Sequence, residues 1–394
     1  MTGDNPATLG QEQPVAQREK KRVAVAMSGG VDSSVAAALL VQEGYEVIGM
    51  MMRLWSEPGS TGSLPTNRCC TPDQMADARR IANHLDIPFY VVDVQDHFRQ
   101  NIVQFFIDEH LAGRTPNPCI ECNRKIRFTL LLEHALALGA DFLATGHYAQ
   151  VQRVDGAFQL SKGEDDSKDQ SYVLYTLNQQ KLAQVLFPVG KFRKSQVRKL
   201  AEQFGLTVAG KQDSQDLCFL ADGDYRRFLN EYSDDAIRPG PILTEEGQEL
   251  GQHAGLPYYT IGQRKKLGIS SPIPLHVLRK ETNHNALVVG PRASLGRQTM
   301  MIRDLNWISG KPPAASDRVQ IKIRYKALPI AGTVSILGAD YARATLEEPV
   351  FGITPGQGAV FYNDKICLGG GLILEDSSPA SGDSHMPQRV NGGQ

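Results

Sequence analysis

Two short stretches hold side chains that could do chemistry together. The first is Ser28-Gly29-Gly30-Val31-Asp32-Ser33-Ser34, which follows an apolar run beginning at Val23 and precedes a helical pattern. A glycine-rich turn from a buried strand into a helix offers free backbone N–H groups and the positive end of the helix dipole, so it is suited to an anion, phosphate above all. No Gly-Lys-Ser/Thr closes the turn and no Gly-x-Gly-x-x-Gly spacing is present, which excludes a Walker loop and a dinucleotide fingerprint. Read as structure alone, the same residues make a tight turn with Asp32 and Ser33 near a helix cap. The second stretch, GRTPNPCIECNRKIRF from Gly113, sets Cys119 and Cys122 at C-x-x-C spacing before a helix expected from about Asn123. A helix N-terminus favours thiolate, and Arg114, Arg124 and Lys125 add positive charge. Half of a zinc site is the competing reading, but no second C-x-x-C or His pair follows. Cys218, in QDLCF, could join Cys119 and Cys122 as iron-sulfur ligands, or could simply pack beside Phe219 and Leu220.

These residues need a scaffold, and the pattern supplies one. Apolar runs at Val23–Met27, Val47–Met52, Phe89–Val94 and Phe142–Thr145 alternate with helical patterns at Ser34–Glu43, Asp73–Leu85, His97–Ala112 and Asn123–Leu138. That alternation predicts an α/β domain with a doubly wound parallel sheet. Glycine and proline multiply around 238–256, and from Leu287 short alternating runs such as VQIKIRYKA and GTVSIL predict a small β-barrel or sandwich. The expected division is a disordered tail over 1–20, a catalytic domain over 21–217, a small central domain over 218–286, a C-terminal β-barrel over 287–375 and a second disordered tail from 376.

Composition narrows the setting. The 394 residues carry a net charge of −1 and no apolar run able to span a bilayer, so a nucleic-acid partner must meet a local basic patch. Six cysteines, at 69, 70, 119, 122, 218 and 367, are too few for a disulfide scaffold and fit a reducing cytoplasm. The N-terminal stretch has neither the apolar core of a secretory signal nor the acid-poor character of a transit peptide. Basic runs at Lys191–Lys199 and 263–266 could follow phosphates, with Lys191, Lys194 and Arg198 on one helical face, or could be solvated surface.

SGGVDSS resembles the PP-loop of the N-type ATP pyrophosphatases, which have an adenine nucleotide alpha hydrolase-like fold. Together with TPNPCIECNRKIRF, ATGHYA, KDQSYVL, QDLCF, GQRKKLG and IRY, it resembles the tRNA-specific 2-thiouridylase family over about Lys21 to Leu374. The resemblance implies a C-terminal RNA-binding barrel, ATP with Mg2+ as co-substrate, a tRNA carrying a wobble uridine, and an upstream sulfur carrier or cysteine desulfurase. It implies that Ala26, Met27, Ser28, Gly29, Gly30, Val31, Asp32, Ser33, Met52 and Gly146 hold ATP. It implies that Asn117, Pro118, Cys119, His147, Lys168, Asp169, Gln170, Arg324, Tyr325 and Gln357 face the tRNA, Tyr325 as a stacking platform beside a cation. It implies further that Cys218 carries a persulfide and Cys122 is the nucleophile, leaving a Cys122–Cys218 disulfide. Either Cys122 releases sulfide from Cys218, or the persulfide attacks directly and Cys122 resolves the product. Some family members have Asp where this chain has Cys119, so that thiol is a general acid or base, or a cluster ligand, on different readings. No carboxylate cage for Mg2+ is visible. Two rival classes are a PP-loop synthetase that needs no reactive cysteine and an RNA-binding protein that consumes no ATP; the joint presence of the loop, the C-x-x-C and Cys218 disfavours both.

Overall fold

The computed structural model describes residues 20–55, 57, 71–211, 217–233 and 236–375. Cys69, Cys70 and both expected tails, apart from Lys20, lie outside the described residues. The N-terminal region runs β1 (Arg22–Ala26), α1 (Val31–Gln42), β2 (Glu46–Arg53), α2 (Pro72–His84) and β3 (Phe89–Asp93). Two long helices follow. The first joins α3 (Gln95–Phe98) to α4 (Gln104–Leu111) through a π-helical stretch, and the second joins α5 (Pro118–Glu121) to α6 (Leu132–Ala137) through another at Cys122–Leu131. Then come β4 (Phe142–Ala144), a hairpin of β5 (Ala149–Val154) and β6 (Ala157–Lys162), α7 (Gln179–Leu182), β7 (Val185–Leu186) and α8 (Lys194–Gln203).

Strands β1 to β4 and β7 form one parallel sheet in the order β3-β2-β1-β4-β7. The centre of β1, Val23-Ala24-Val25, is fully buried, which is why it reads as an unbroken apolar run rather than an alternating one. Strand order reverses between β1 and β4, so the loop after β1 and the loop after β4 open side by side at the carboxyl edge.

One helix boundary differs from the sequence expectation. The helix expected from about Asn123 begins at Pro118, because Asn117 caps it by accepting the Cys119 N–H at 3.1 Å and Pro118 takes a position where no N–H is needed. Both cysteines therefore lie inside the helix, not before it.

Past α9 (Tyr225–Tyr232), the central sheet comprises β8 (Gly240–Leu243), β9 (Glu249–His253), β10 (Leu275–Glu281) and β11 (Ala286–Pro291), in the order β10-β11-β8-β9. Strand β11 runs across residue 287 and stays with this sheet. The barrel begins with β12 (Gly296–Trp307) and continues through β13 (Val319–Lys322), β14 (Ile330–Ile336), β15 (Tyr341–Phe351), β16 (Gly358–Asn363) and β17 (Ile366–Ile373). Its order is β12-β15-β14-β13-β16-β17, and pairing of β12 with β17 closes it. Closure leaves no free edge in the ring, and the alternating burial of β15 points every second side chain at the core. The β5–β6 hairpin, turned at Asp155-Gly156, was absent from the strand pattern read in the sequence. It leaves the α/β domain and pairs Leu160 with Cys367 and Ser161 with Ile366, so β17 carries a strand from another domain.

His110 fastens α4 to the central region. Its ring lies 4.5 Å from that of Phe106 and 5.7 Å from that of Tyr225, and Nδ1 sits 3.2 Å from the Pro257 carbonyl. Burial and the nearby Lys280 ammonium hold it neutral, with a pKa of about 3. His147 is likewise pushed well below its ordinary value by burial and by Arg127. The unfolded chain takes up these protons near pH 6.5 and the folded chain does not, so the stability these rings contribute is intact above that pH and declines below it, by about 1.4 kcal/mol per ring per pH unit. The thermal midpoint should therefore fall steadily from pH 7 to pH 5, and His110→Gln should flatten part of that slope; a midpoint that does not move in melts across this range would contradict the neutral, buried assignment.

Candidate active site

The loop after β1 is shaped by contact on two sides. Gly29 has φ +69°, and a Cβ there would lie 2.3 Å from the Gln74 carbonyl oxygen at the start of α2. Gly146, just after β4, approaches the first turn of α1 so closely that a Cβ would lie 2.7 Å from both the Asp32 carbonyl carbon and the Ser33 nitrogen. Inside the loop, the Ser28 N–H donates to Ser33 Oγ at 3.2 Å, and the Ser34 hydroxyl donates to the Gly30 carbonyl at 2.7 Å. Gly30 opens α1 without a side-chain cap, so the first-turn amides and the helix dipole face outward past exposed Ser28. Ala26 and Met27 lead into the loop, and Val31 packs into the core beneath it. A glycine-rich turn entering a helix N-terminus in this way is suited to an anion.

Two lysines that the sequence did not mark as loop neighbours converge here. Lys194 at the start of α8 donates to both Asp32 carboxylate oxygens, at 2.7 and 2.9 Å, and the Tyr148 hydroxyl donates to Oδ1 at 2.7 Å. Lys211 donates to the Gly29 carbonyl at 3.0 Å and to Asp77 at 2.9 Å. Arg198 donates to the carbonyls of Ala209 and Lys211. The expected phosphate track along Lys191, Lys194 and Arg198 is therefore not one: the latter two turn inward, and Lys191 lies 3.4 Å from Glu43. Nothing in local spacing could have shown this, since the acid that Lys194 meets is 162 positions away.

The cysteines occupy different surroundings. Cys119 is exposed in the first turn of its helix, where the dipole acts most strongly. Cys122, 8% exposed, lies one turn deeper at the start of the π-helical stretch, a distortion common at functional sites. It belongs to one apolar cluster with Phe98, Phe106, Phe219 and Phe228, against which Cys218 and Met52 also pack. The cations expected beside the thiols are engaged by acids: Arg114 by Glu109 at 2.6 Å, and Arg124 and Lys125 by Glu121, which is 2% exposed. Among the described residues no three His, Cys, Asp or Glu side chains gather as a metal-binding group.

Of the residues expected on the tRNA side, Gln357 joins the barrel to the loop ahead of this helix, and several others hold protein groups. Gln357 donates to the carbonyls of Thr115 and Pro116, at 2.8 and 3.3 Å, just ahead of Asn117 and Pro118. Arg324 bridges Gly352, Thr354 and, at 3.4 Å, Ile261; burial without a carboxylate lowers its pKa. Asp169 accepts from Gly163 and Ser171, and Gln170 accepts from the Tyr148 N–H. Lys168 is half-buried on the same loop. His147, 8% exposed, sits between Phe128 and Phe187 with Nδ1 2.6 Å from Thr145 Oγ1 and Nε2 3.4 Å from Arg127. Tyr325 stands beside Tyr172, with Lys322 Nζ 5.8 Å over its ring. Its hydroxyl is pushed up to about 12 by burial and by the negative charge of Asp169 and Cys119.

Three family models match the chain in succession: a tRNA methyl transferase HUP domain over 21–222, a tRNA methyl transferase PRC-barrel domain over 226–291, and an aminomethyltransferase beta-barrel domain over 297–373. The chain is similar to the tRNA-specific 2-thiouridylase MnmA of Magnetococcus marinus, at 49% identity over 90% of this chain and 99% of that one. It is similar to the protein of the same name from Moorella thermoacetica, at 47% identity over 89% and 98%. Among solved structures, a U34-tRNA thiolase from Methanococcus maripaludis with a 4Fe-4S cluster aligns over 56% of this chain and 69% of that one, at 22% identity and a TM-score of 0.33, too slight a likeness to carry an argument.

Replacing Gly146 by Ala should drive the α1 turn away from β4 and weaken binding of a non-hydrolysable ATP analogue at least tenfold, with the circular dichroism spectrum retained. Calorimetric titration giving an unchanged affinity would remove Gly146 from the nucleotide site.

Proposed function

The chain belongs to the tRNA-specific 2-thiouridylase family, a family of tRNA sulfurtransferases, and from that premise we propose how its residues divide the reaction. The C2 carbonyl oxygen of a tRNA wobble uridine attacks the α-phosphorus of ATP held over Ser28–Ser33, and diphosphate leaves. The oxygen now carries AMP and is a competent leaving group. Sulfur enters from a persulfide on Cys218: the Cys122 thiolate attacks the inner sulfur, the S–S bond breaks and hydrosulfide is released. Hydrosulfide adds to C2, AMP departs, and the resulting Cys122–Cys218 disulfide takes two electrons from a thiol reductant before the next turnover. Direct attack by the persulfide sulfur uses the same groups, with Cys122 resolving the product.

The observation that carries this reading is the shared cluster of Cys122, Cys218 and Met52. Met52 stands at the carboxyl end of β2, the edge from which the phosphate loop also rises, so nucleotide and sulfur chemistry draw on one wall. Burial of Cys122 keeps bulk water from a reactive sulfur, while exposed Cys119 and half-buried Tyr325 would meet a base flipped out of the anticodon. Asn117, Pro118 and Cys119 would line that base, with Cys119 available as an acid or base. Although two family models are described in terms of methyl transfer, a paired set of cysteines beside a PP-loop supports sulfur transfer, since moving a methyl group needs neither. Sulfur would be delivered by a carrier or cysteine desulfurase to Cys218, which is more accessible than Cys122. Mg2+ would accompany the triphosphate.

Single-turnover thiolation of an unmodified tRNA, with ATP and a persulfide-loaded donor, tests the division. Cys122→Ser and Cys218→Ser should abolish 2-thiouridine formation while still releasing diphosphate, and Cys119→Ser should retain measurable thiolation. Loss of diphosphate release in the two cysteine variants would break the proposed separation of steps. Equal loss in all three, in proportion to bound iron, would replace the relay with a cluster.

A further inference from the structure

Cys218 sits at the tip of a tight turn whose foot is pinned by buried charge. The Leu220 N–H donates to the Leu217 carbonyl at 3.2 Å and closes the turn. Cys218 is half-buried there, while Phe219 and Leu220 behind it are 1% and 2% exposed and belong to the apolar cluster that holds Cys122. Apolar packing is non-directional, so by itself it does not fix where a thiol points. A directional restraint comes from the next residue: the Ala221 N–H donates to Glu57 Oε2 at 3.1 Å, across 164 positions of sequence.

Glu57 follows the carboxyl end of β2 and is 4% exposed. Arg227, in the first turn of α9, grips it as a fork, Nη1 to Oε1 at 2.6 Å and Nη2 to Oε2 at 2.9 Å. The same guanidinium donates to Asp222 at 2.7 and 3.2 Å and to Glu231 at 2.6 Å, and these carboxylates, Glu57 first, raise its pKa. Asp222 and Glu231 already match the charge of Arg227, so neutralising the arginine does not require Glu57. What Glu57 adds is the bond to the Ala221 N–H. Trp55, two residues before it, packs edge-on against Phe228 at 6.4 Å and Tyr232 at 5.8 Å, which seats the end of β2 on α9.

We propose that Glu57 is a positioning residue for sulfur transfer. Through the Ala221 N–H it sets the Cys218 turn against the end of β2, where Met52 and Cys122 share the cluster, and Arg227 holds Glu57 in place. This role presupposes the relay between Cys218 and Cys122 described above. Sulfur passes between two thiols only when the reacting atoms are close and aligned, and a displacement of about 1 Å can cost roughly a hundredfold in rate. Buried ion pairs of this kind fix geometry more than they add stability.

Single-turnover reactions of wild type, Glu57→Ala, Glu57→Gln and Cys218→Ser, with tRNA, ATP and a persulfide-loaded donor, follow diphosphate and 2-thiouridine separately. Glu57→Ala leaves Arg227 paired with Asp222 and Glu231. It should release diphosphate at close to the wild-type rate, which also reports that it is folded, and form 2-thiouridine about tenfold more slowly. Glu57→Gln keeps an oxygen for the Ala221 N–H and should thiolate faster than Glu57→Ala. A second readout needs no tRNA: with diamide as the two-electron oxidant, linkage of Cys122 to Cys218, measured by mass spectrometry of the joined peptides, should slow in Glu57→Ala by a similar factor. Thiolation at the wild-type rate in Glu57→Ala, a fall in diphosphate release that matches the fall in thiolation, or a Glu57→Gln no faster than Glu57→Ala overturns the positioning role. Retained thiolation in Cys218→Ser overturns the relay itself, so the two failures are told apart.

Discussion

The helix that carries Cys119 and Cys122 starts where the barrel holds it. Gln357 takes up the carbonyls of Thr115 and Pro116, the Thr115 N–H donates to Pro355 at 2.9 Å, and Asn117 then caps the helix. Without that anchorage, the loop between α4 and α5 would carry its backbone groups unpaired between two domains, at a cost no local interaction offsets. With it, the start of the cysteine helix is fixed against the barrel. The pairing of β6 with β17 works to the same end, because a strand from the α/β domain in the barrel's sheet prevents the two from sliding past each other.

Charge is arranged around this framework with little left unmatched. Asp32 is bracketed by Lys194 and Tyr148, and the Gly29 carbonyl is held by Lys211. Buried or half-buried charges are tolerated when paired and hydrogen-bonded, and such pairs fix geometry more than they add stability. The loop thus keeps its shape through cations that pair with its own acid and carbonyl. Among the described residues, Lys280 stands apart for want of such a partner.

Much of the fold could be read without coordinates. The parallel sheet was legible because strands buried on both faces must be apolar throughout, and the barrel because its strands alternate. The β5–β6 hairpin was missed although Asp155-Gly156 marks its turn: VQRVDGAFQLSK interleaves polar and apolar residues too weakly for the pattern to stand out from a loop. The helix start was misplaced by five residues because Asn117-Pro118 was read as part of the turn before the helix, not as its cap and first position. The basic run at Lys191–Lys199 was read either as a phosphate track or as solvated surface, and neither reading placed Lys194 on Asp32, since helical spacing says which side chains share a face and not what that face meets.

By itself the sequence determined the chemistry available: a phosphate-binding turn between a strand and a helix, a pair of cysteines one helical turn apart, and a third near the change of domain. Those depend on residue type and local spacing, which the chain carries with it. Only the tertiary structure decided which thiol is buried and which exposed, that Cys122 and Cys218 pack in the same cluster, and that Lys194 belongs to Asp32. Each of these joins residues from about 96 to 162 positions apart, and such contacts follow from how sheets and helices pack, a property no single stretch of sequence encodes.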